Sequence, residues 1–217
     1  MTLIGFERVL TLTAAAVRGS MPTIVVGGHS RKVGKTAVTA GLIHAFRELP
    51  WTALKISTHG HSEIPMPQNG RKDDSFRIYE ETDRSATSDS SRFLAAGACR
   101  SFWMQTRGDL ADDSLAEILP VLQSNPFVMI ESNRILRLIR PDLFIMVLRY
   151  DVADFKESAR RVLGQANAVV AVNPDPVPMP WPGVSQMLSG IQQFVTADPQ
   201  VVPAGLIDFV RLRLQIK

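Results

Sequence analysis

The chain has 217 residues, 45% hydrophobic and 21% charged, and its 24 basic against 21 acidic side chains leave a net charge of +3. Disorder is excluded as the whole account, and so small a charge makes no case for a nucleic-acid partner. One cysteine, Cys99, cannot form an internal disulfide, and no apolar run reaches the ~20 residues of a membrane span, so a soluble, cytoplasmic protein is expected.

In chain order, Met1 to Ser20 places Arg8 and Arg18 around an apolar stretch, Val9 to Val17, which could pass for a signal peptide. The preferred reading treats residues 1–20 as an extension, because a strand opens directly after Met21. Thr23 to Val26 is a β-branched apolar run ending in Gly27 and Gly28, the pattern of a buried parallel strand meeting a turn. From Lys35, apolar residues at Val38, Leu42, Ala45, Phe46 and Leu49 follow helical spacing, and Pro50 stops the helix. Trp51 to Ser57 reads as a second strand. Thr58 to Ser88 is polar, broken by Pro65, Pro67 and Gly70, and is expected to be one long mobile loop.

The remaining expectations are a helix at Ser90 to Ala98, a strand at Cys99 to Gln105, a helix at Ser114 to Gln123 and an apolar strand at Phe127 to Ile130 closed by Glu131. A strand at Leu143 to Leu148, a helix at Val152 to Leu163 capped by Asp151, and a strand at Ala168 to Val172 ending at Asn173 complete the alternation. Five prolines between Pro174 and Pro182 precede a C-terminal region read as two short helices. This order predicts an α/β fold, a three-layer, doubly wound and mostly parallel sheet over residues 21–173, with residues 174–217 packing on the same domain. Ligands in such sheets lie at the carboxyl ends of the strands.

Gly28-His29-Ser30-Arg31-Lys32-Val33-Gly34-Lys35-Thr36 falls between the first strand and the first helix, the setting a phosphate loop requires. Backbone N–H groups and the positive helix end meet phosphate oxygens, Lys35 adds charge near the β and γ groups, and Thr36 can hold Mg²⁺. The expected cradle is Gly28, Val33, Gly34, Lys35, Thr36 and Ala37, taking GTP or ATP. Five residues separate its glycines, one more than the usual four.

That longer loop resembles the loop of dethiobiotin synthetases. Ala53-Leu54-Lys55-Ile56-Ser57 resembles both their lysine-bearing segment and the Lys-His segment of the molybdopterin-guanine dinucleotide biosynthesis protein B family. Thr58-His59-Gly60-His61, Asp89-Ser90-Ser91-Arg92-Phe93-Leu94-Ala95-Ala96-Gly97-Ala98 and Ile130-Glu131 look like further motifs of the second family, in the correct order. The resemblance covers roughly Thr23 to Asn173 and implies a phosphate-loop NTPase that acts through partners. It also implies a homodimer, and molybdenum cofactor or its biosynthetic enzymes as partners. Asn173 resembles a base-binding residue of such proteins, although the guanine signature N-K-x-D is absent.

Thr36, Asp89 and Glu131 could supply the oxygen set that Mg²⁺ prefers, and Lys35, Lys55 and Glu131 are the catalytic candidates. Asp89 serves equally well as an N-cap, Glu131 as a surface or helix-capping carboxylate, Lys55 as a surface lysine, and Arg92 as a local ion-pair partner of Asp89. Asp73, Asp74 and Asp83 read as a solvated charge run. His59 and His61 read as polar surface residues with metal binding as the alternative, and Cys99 as a buried apolar residue. Glu131-Ser132-Asn133-Arg134 stands where both families carry glycine after the glutamate. The expected function is therefore a Mg²⁺-dependent nucleotide-binding protein with slow GTPase or ATPase turnover. The alternatives are an ATP-dependent synthetase and a nucleotide-gated metal or cofactor chaperone.

Overall fold

The computed structural model describes residues 21–57, 71–72, 76–106, 110, 112–123, 125–174 and 179–216. Strand β1 (Thr23–Gly28) is buried along its whole length. It is followed by helix α1 (Lys35–Ala45), β2 (Trp51–Ser57), β3 (Arg71–Lys72), β4 (Phe76–Glu81) and α2 (Asp89–Ala96). Next come β5 (Arg100–Thr106), α3 (Asp112–Leu122), β6 (Phe127–Glu131), a 3₁₀ turn at Arg134–Arg137, β7 (Leu143–Arg149), α4 (Glu157–Leu163) and β8 (Ala168–Val172). The short α5 (Val184–Met187), β9 (Gln192–Thr196) and α6 (Ala204–Leu214) end the order.

Among the described residues the strands form one nine-stranded sheet in the order β3-β4-β5-β2-β6-β1-β7-β8-β9. All pairings are parallel except β3 with β4 and β4 with β5. Burial on both faces explains the unbroken apolar runs of β1, β7 and β8. Alternate residues feed two cores. Val25, Leu54, Val128, Phe144 and Val169 pack with Ile118 of α3, Val162 of α4 and Val184 of α5. Ile24, Ala53, Met129, Ile145 and Val170 pack on the opposite face with Leu42 of α1, Phe93 of α2 and Val210 of α6. The chain is thus a three-layer, doubly wound α/β fold with the phosphate-loop NTPase arrangement, its loop joining the central strand to the first helix.

Four local expectations are corrected. Thr58 to Ser88 is not one loop, because β3 and β4 form an antiparallel extension of the sheet edge. The β4 sequence Phe-Arg-Ile-Tyr-Glu-Glu keeps only Phe76 and Tyr79 buried, and its charged positions hid the strand. The C-terminal region holds β9 between its helices, another edge strand whose alternate residues are solvent-facing. Asp151 does not cap a helix. Residues 152–156 instead spend backbone groups on tertiary contacts, with Lys156 N–H donating to the His29 carbonyl and Val152 and Ala153 carbonyls accepting from Trp181 Nε1, so α4 starts at Glu157. Cys99 is exposed, since it lies in the turn before β5. No helix of the described residues is long and apolar enough to cross a membrane.

Candidate phosphate-binding site

The turn between β1 and α1 is built by its glycines. A Cβ on Gly27 would collide with Asn133 Oδ1, and one on Gly28 would lie 2.7 Å from Lys35 Cγ. Asn133 bonds both backbone groups of Gly28: its Oδ1 accepts from the Gly28 N–H at 2.9 Å and its Nδ2 donates to the Gly28 carbonyl at 2.8 Å. Gly34 adopts φ +102°, and a Cβ there would meet Pro199 Cβ at 2.5 Å, so this position tolerates no side chain. Helix α1 begins directly after Gly34 with no side-chain cap and no acidic residue in its first turn, which leaves its N-terminus suited to an anion.

His29 anchors the loop from beneath. Its ring is fully buried, with Nδ1 2.8 Å from the Asp154 carbonyl and Nε2 accepting the Arg149 N–H at 3.1 Å. Those partners fix the neutral tautomer with its proton on Nδ1. The ring also lies 4.5 Å from Trp181 and 5.1 Å from Phe155. Burial, aided by the nearby Lys35, pushes the imidazole down to about 4, against the hydrogen-bonding carbonyl of Asp154. Ser30 Oγ donates to the Asp154 carboxylate, tying the same loop to the segment after β7.

Lys35 Nζ donates to the Ser30 carbonyl at 2.6 Å, folding the side chain across the loop. Burial lowers this ammonium to about 8, and Lys55 and Lys156 act in the same direction against the attraction of Glu131. Lys55 lies opposite Glu131 in the parallel pairing of β2 with β6, so both side chains leave the same sheet face, towards α1 and α2. There Lys55 Nζ contacts Glu131 Oε1, bonds Asp89 Oδ2 at 2.8 Å and donates to Thr36 Oγ1 at 3.4 Å. Thr36 Oγ1 donates to Glu131 Oε2 at 2.8 Å. Burial works against the Lys55 charge, but the two carboxylates hold its pKa above the ordinary lysine value. Asp89 is held below the usual carboxylate range, burial being overcome by Lys55.

The N-cap of α2 is Ser88, not Asp89. Ser88 and Ser91 form a reciprocal capping box, and Ser88 and Ser90 also donate to Glu81 at the end of β4. Asp89 is thereby free to face Lys55. Two carboxylates and a hydroxyl enclosing one ammonium are a hard-oxygen set of the kind that suits Mg²⁺.

These groups open into a cleft of about 570 Å³ at the carboxyl edge of the sheet. It is lined by Gly28, Gly34, Lys35, Thr36, Ala37, Lys55, Asp89, Arg92 and Glu131 among the expected residues. Val33 packs into the core and Asn173 lies at the end of β8, two strands from β1, and neither lines the cleft. Asn173 has φ +50° and donates its N–H to the Thr196 carbonyl. Asp83 is exposed and accepts from Ser85 and Thr87 in a local turn, whereas Asp73, Asp74, His59 and His61 lie outside the described residues.

Sequence reading missed Asn133, His29, Asp154 and Lys156. The Gly27-Gly28 pair signals that something approaches the backbone closely, but not that the partner stands more than one hundred residues away. No protein-family model matches the chain, and no match is found among curated proteins. Similar solved structures include HypB from Helicobacter pylori in complex with nickel, 14% identical over 95% of this chain and 94% of that one, with a TM-score of 0.49. They also include LpxK from Aquifex aeolicus in complex with ATP, 18% identical over 95% and 73%, with a TM-score of 0.48. A MobB protein homolog from Bacillus stearothermophilus is 18% identical over 88% and 99%, with a TM-score of 0.42.

Proposed function

We propose that the chain binds a purine nucleoside triphosphate with Mg²⁺ in this cleft and hydrolyses it slowly, as an accessory NTPase of the kind its sequence resembles in molybdenum cofactor biosynthesis. The observation that carries the reading is the convergence of Lys35, Thr36, Lys55, Asp89 and Glu131, from four separate elements, at the carboxyl ends of β1, β2 and β6. The N–H groups around Gly34 and the Lys35 ammonium would cradle the β and γ phosphates. Thr36, Asp89 and Glu131 would hold Mg²⁺, which when bound neutralises charge on those phosphates. Lys55, seated beside Thr36, would place a second cation where charge develops in phosphoryl transfer. Glu131, accepting from both Thr36 and Lys55, would orient them. Dethiobiotin-type chemistry is disfavoured, because Ser132 and Arg134 occupy the place of glycines that shape that substrate pocket.

Binding of fluorescent ATP and GTP analogues to the wild type and to Lys35→Ala tests this. Loss of at least about tenfold in affinity, with an unchanged unfolding curve, is expected from removal of one charge-assisted phosphate contact. Equal affinity in the variant would sink the assignment of the loop.

A further inference from the structure

The ammonium of Lys55 sits where a divalent cation would be held. It lies 2.8 Å from Asp89 Oδ2, touches Glu131 Oε1 and donates to Thr36 Oγ1 at 3.4 Å. These oxygens come from α2, β6 and α1, and they are the same three groups that suit Mg²⁺. The register of β2 on β6 sets Lys55 beside Glu131, and Thr36 donates to the second oxygen of that carboxylate, so the ammonium closes the set. Lys35, the loop lysine, spends its hydrogen bond on the Ser30 carbonyl instead. Mg²⁺ binds oxygen at about 2.0–2.1 Å in near-octahedral geometry, so it cannot share these oxygens with an ammonium already at hydrogen-bond distance from them. The charges agree. With Lys55 in place the two carboxylates and the ammonium sum to one negative charge, and a dication added beside them would meet a like charge at contact distance. Exchange has a route, because the Glu131 side chain is 1% exposed, that of Lys55 14% and that of Asp89 45%. The cluster is sealed at Glu131 and open at Asp89, on the side of the cleft.

We propose that the Lys55 ammonium stands in the metal's place in the nucleotide-free protein and keeps free Mg²⁺ out of it. This rests on the nucleotide reading above and concerns the regulation of that same site. A displaced Lys55 needs a new anion, and the phosphates of an incoming nucleotide supply one. Lys55 thereby makes the metal set available only when a triphosphate is present to receive the lysine.

The probe is Mn²⁺, an oxygen-preferring, octahedral stand-in for Mg²⁺ whose free form is measured by electron paramagnetic resonance. The nucleotide-free full chain is titrated as wild type, as Lys55→Met, and as Lys55→Gln, whose amide still donates to a carboxylate and so better preserves the fold. Both variants are expected to bind Mn²⁺ at least about tenfold more tightly than the wild type, since no charge-assisted hydrogen bond has to be displaced. Mg²⁺ should raise their unfolding midpoints and leave that of the wild type unchanged. Asp89→Asn added to Lys55→Gln should remove the gain, which locates the metal on this set. Equal Mn²⁺ affinity in the wild type and both variants, whether strong or weak, overturns the proposal. A gain that survives Asp89→Asn overturns it too, because the metal then binds elsewhere. Should neither variant fold, circular dichroism with and without Mn²⁺ decides: refolding by the metal supports the exchange, and failure to refold shows that the cation does not take the ammonium's place. A fluorescent ATP or GTP analogue with Mg²⁺ is offered to the wild type in a separate arm. No uptake there defeats the nucleotide reading, while the metal titration, made without nucleotide, still decides the role of Lys55.

Discussion

Lys55 and Glu131 show how a single register decides both stability and chemistry. Their strands pair so that the two residues stand side by side, and Glu131 is only 1% exposed. A buried carboxylate that loses its cation is left uncompensated, and that loss exceeds what the pair adds over an apolar substitute. Lys55→Met is therefore expected to lower the unfolding free energy by about 3 kcal/mol, whereas Lys55→Met/Glu131→Leu should recover most of it. Urea unfolding of the wild type, both single variants and the double variant checks this, and additive effects would show that the two groups do not act as a pair. The sequence placed both residues at strand ends, since an apolar run that closes on a charge marks the ligand edge of a parallel sheet. It could not give the register that makes them neighbours, which depends on how β2 and β6 align across more than seventy residues of intervening chain.

Among elements, those buried on both faces were legible and those at the edges were not. β1, β7 and β8 announce themselves as apolar runs, while β4 and β9 carry charged or amide residues on a solvent face and lack that signal. The loop between β1 and α1 was legible because glycine, lysine and threonine are required by backbone conformation and charge rather than by packing. Its support was not legible, since Pro199, from the turn after β9, closes over Gly34 from the far end of the chain. Gly34→Ala tests this arrangement. The added Cβ must be borne at φ +102° and against Pro199 at once, so the loop should open, with a loss of about 1–3 kcal/mol in stability and of most phosphate affinity. Thermal unfolding and nucleotide titration of the variant check both effects. Wild-type affinity in Gly34→Ala would mean that the loop adapts without cost.

At the scale of the whole molecule, His29 joins parts that no local pattern connects. One ring links the loop after β1 to the last residue of β7 through the Arg149 N–H, to residue 154 through its carbonyl, and to the segment after residue 178 through Trp181. Trp181 is itself bonded to the Val152 and Ala153 carbonyls, so loop, strand end and C-terminal region share one buried junction. Protonation would break it, because Nε2 can accept the Arg149 N–H only while the ring is neutral. The folded imidazole titrates at about 4, below its ordinary value of 6.5, so in that interval the unfolded chain binds more protons than the folded one. Stability from this group is therefore complete above pH 6.5, declines as pH falls through the interval and is exhausted below about 4, an effect of roughly 3 kcal/mol. Urea midpoints measured from pH 7.5 to 4.5 should fall accordingly in the wild type. His29→Gln, whose amide can donate and accept but does not titrate, should be less stable at neutral pH and show a flatter decline; a decline as steep as the wild type's would place the proton uptake at another group.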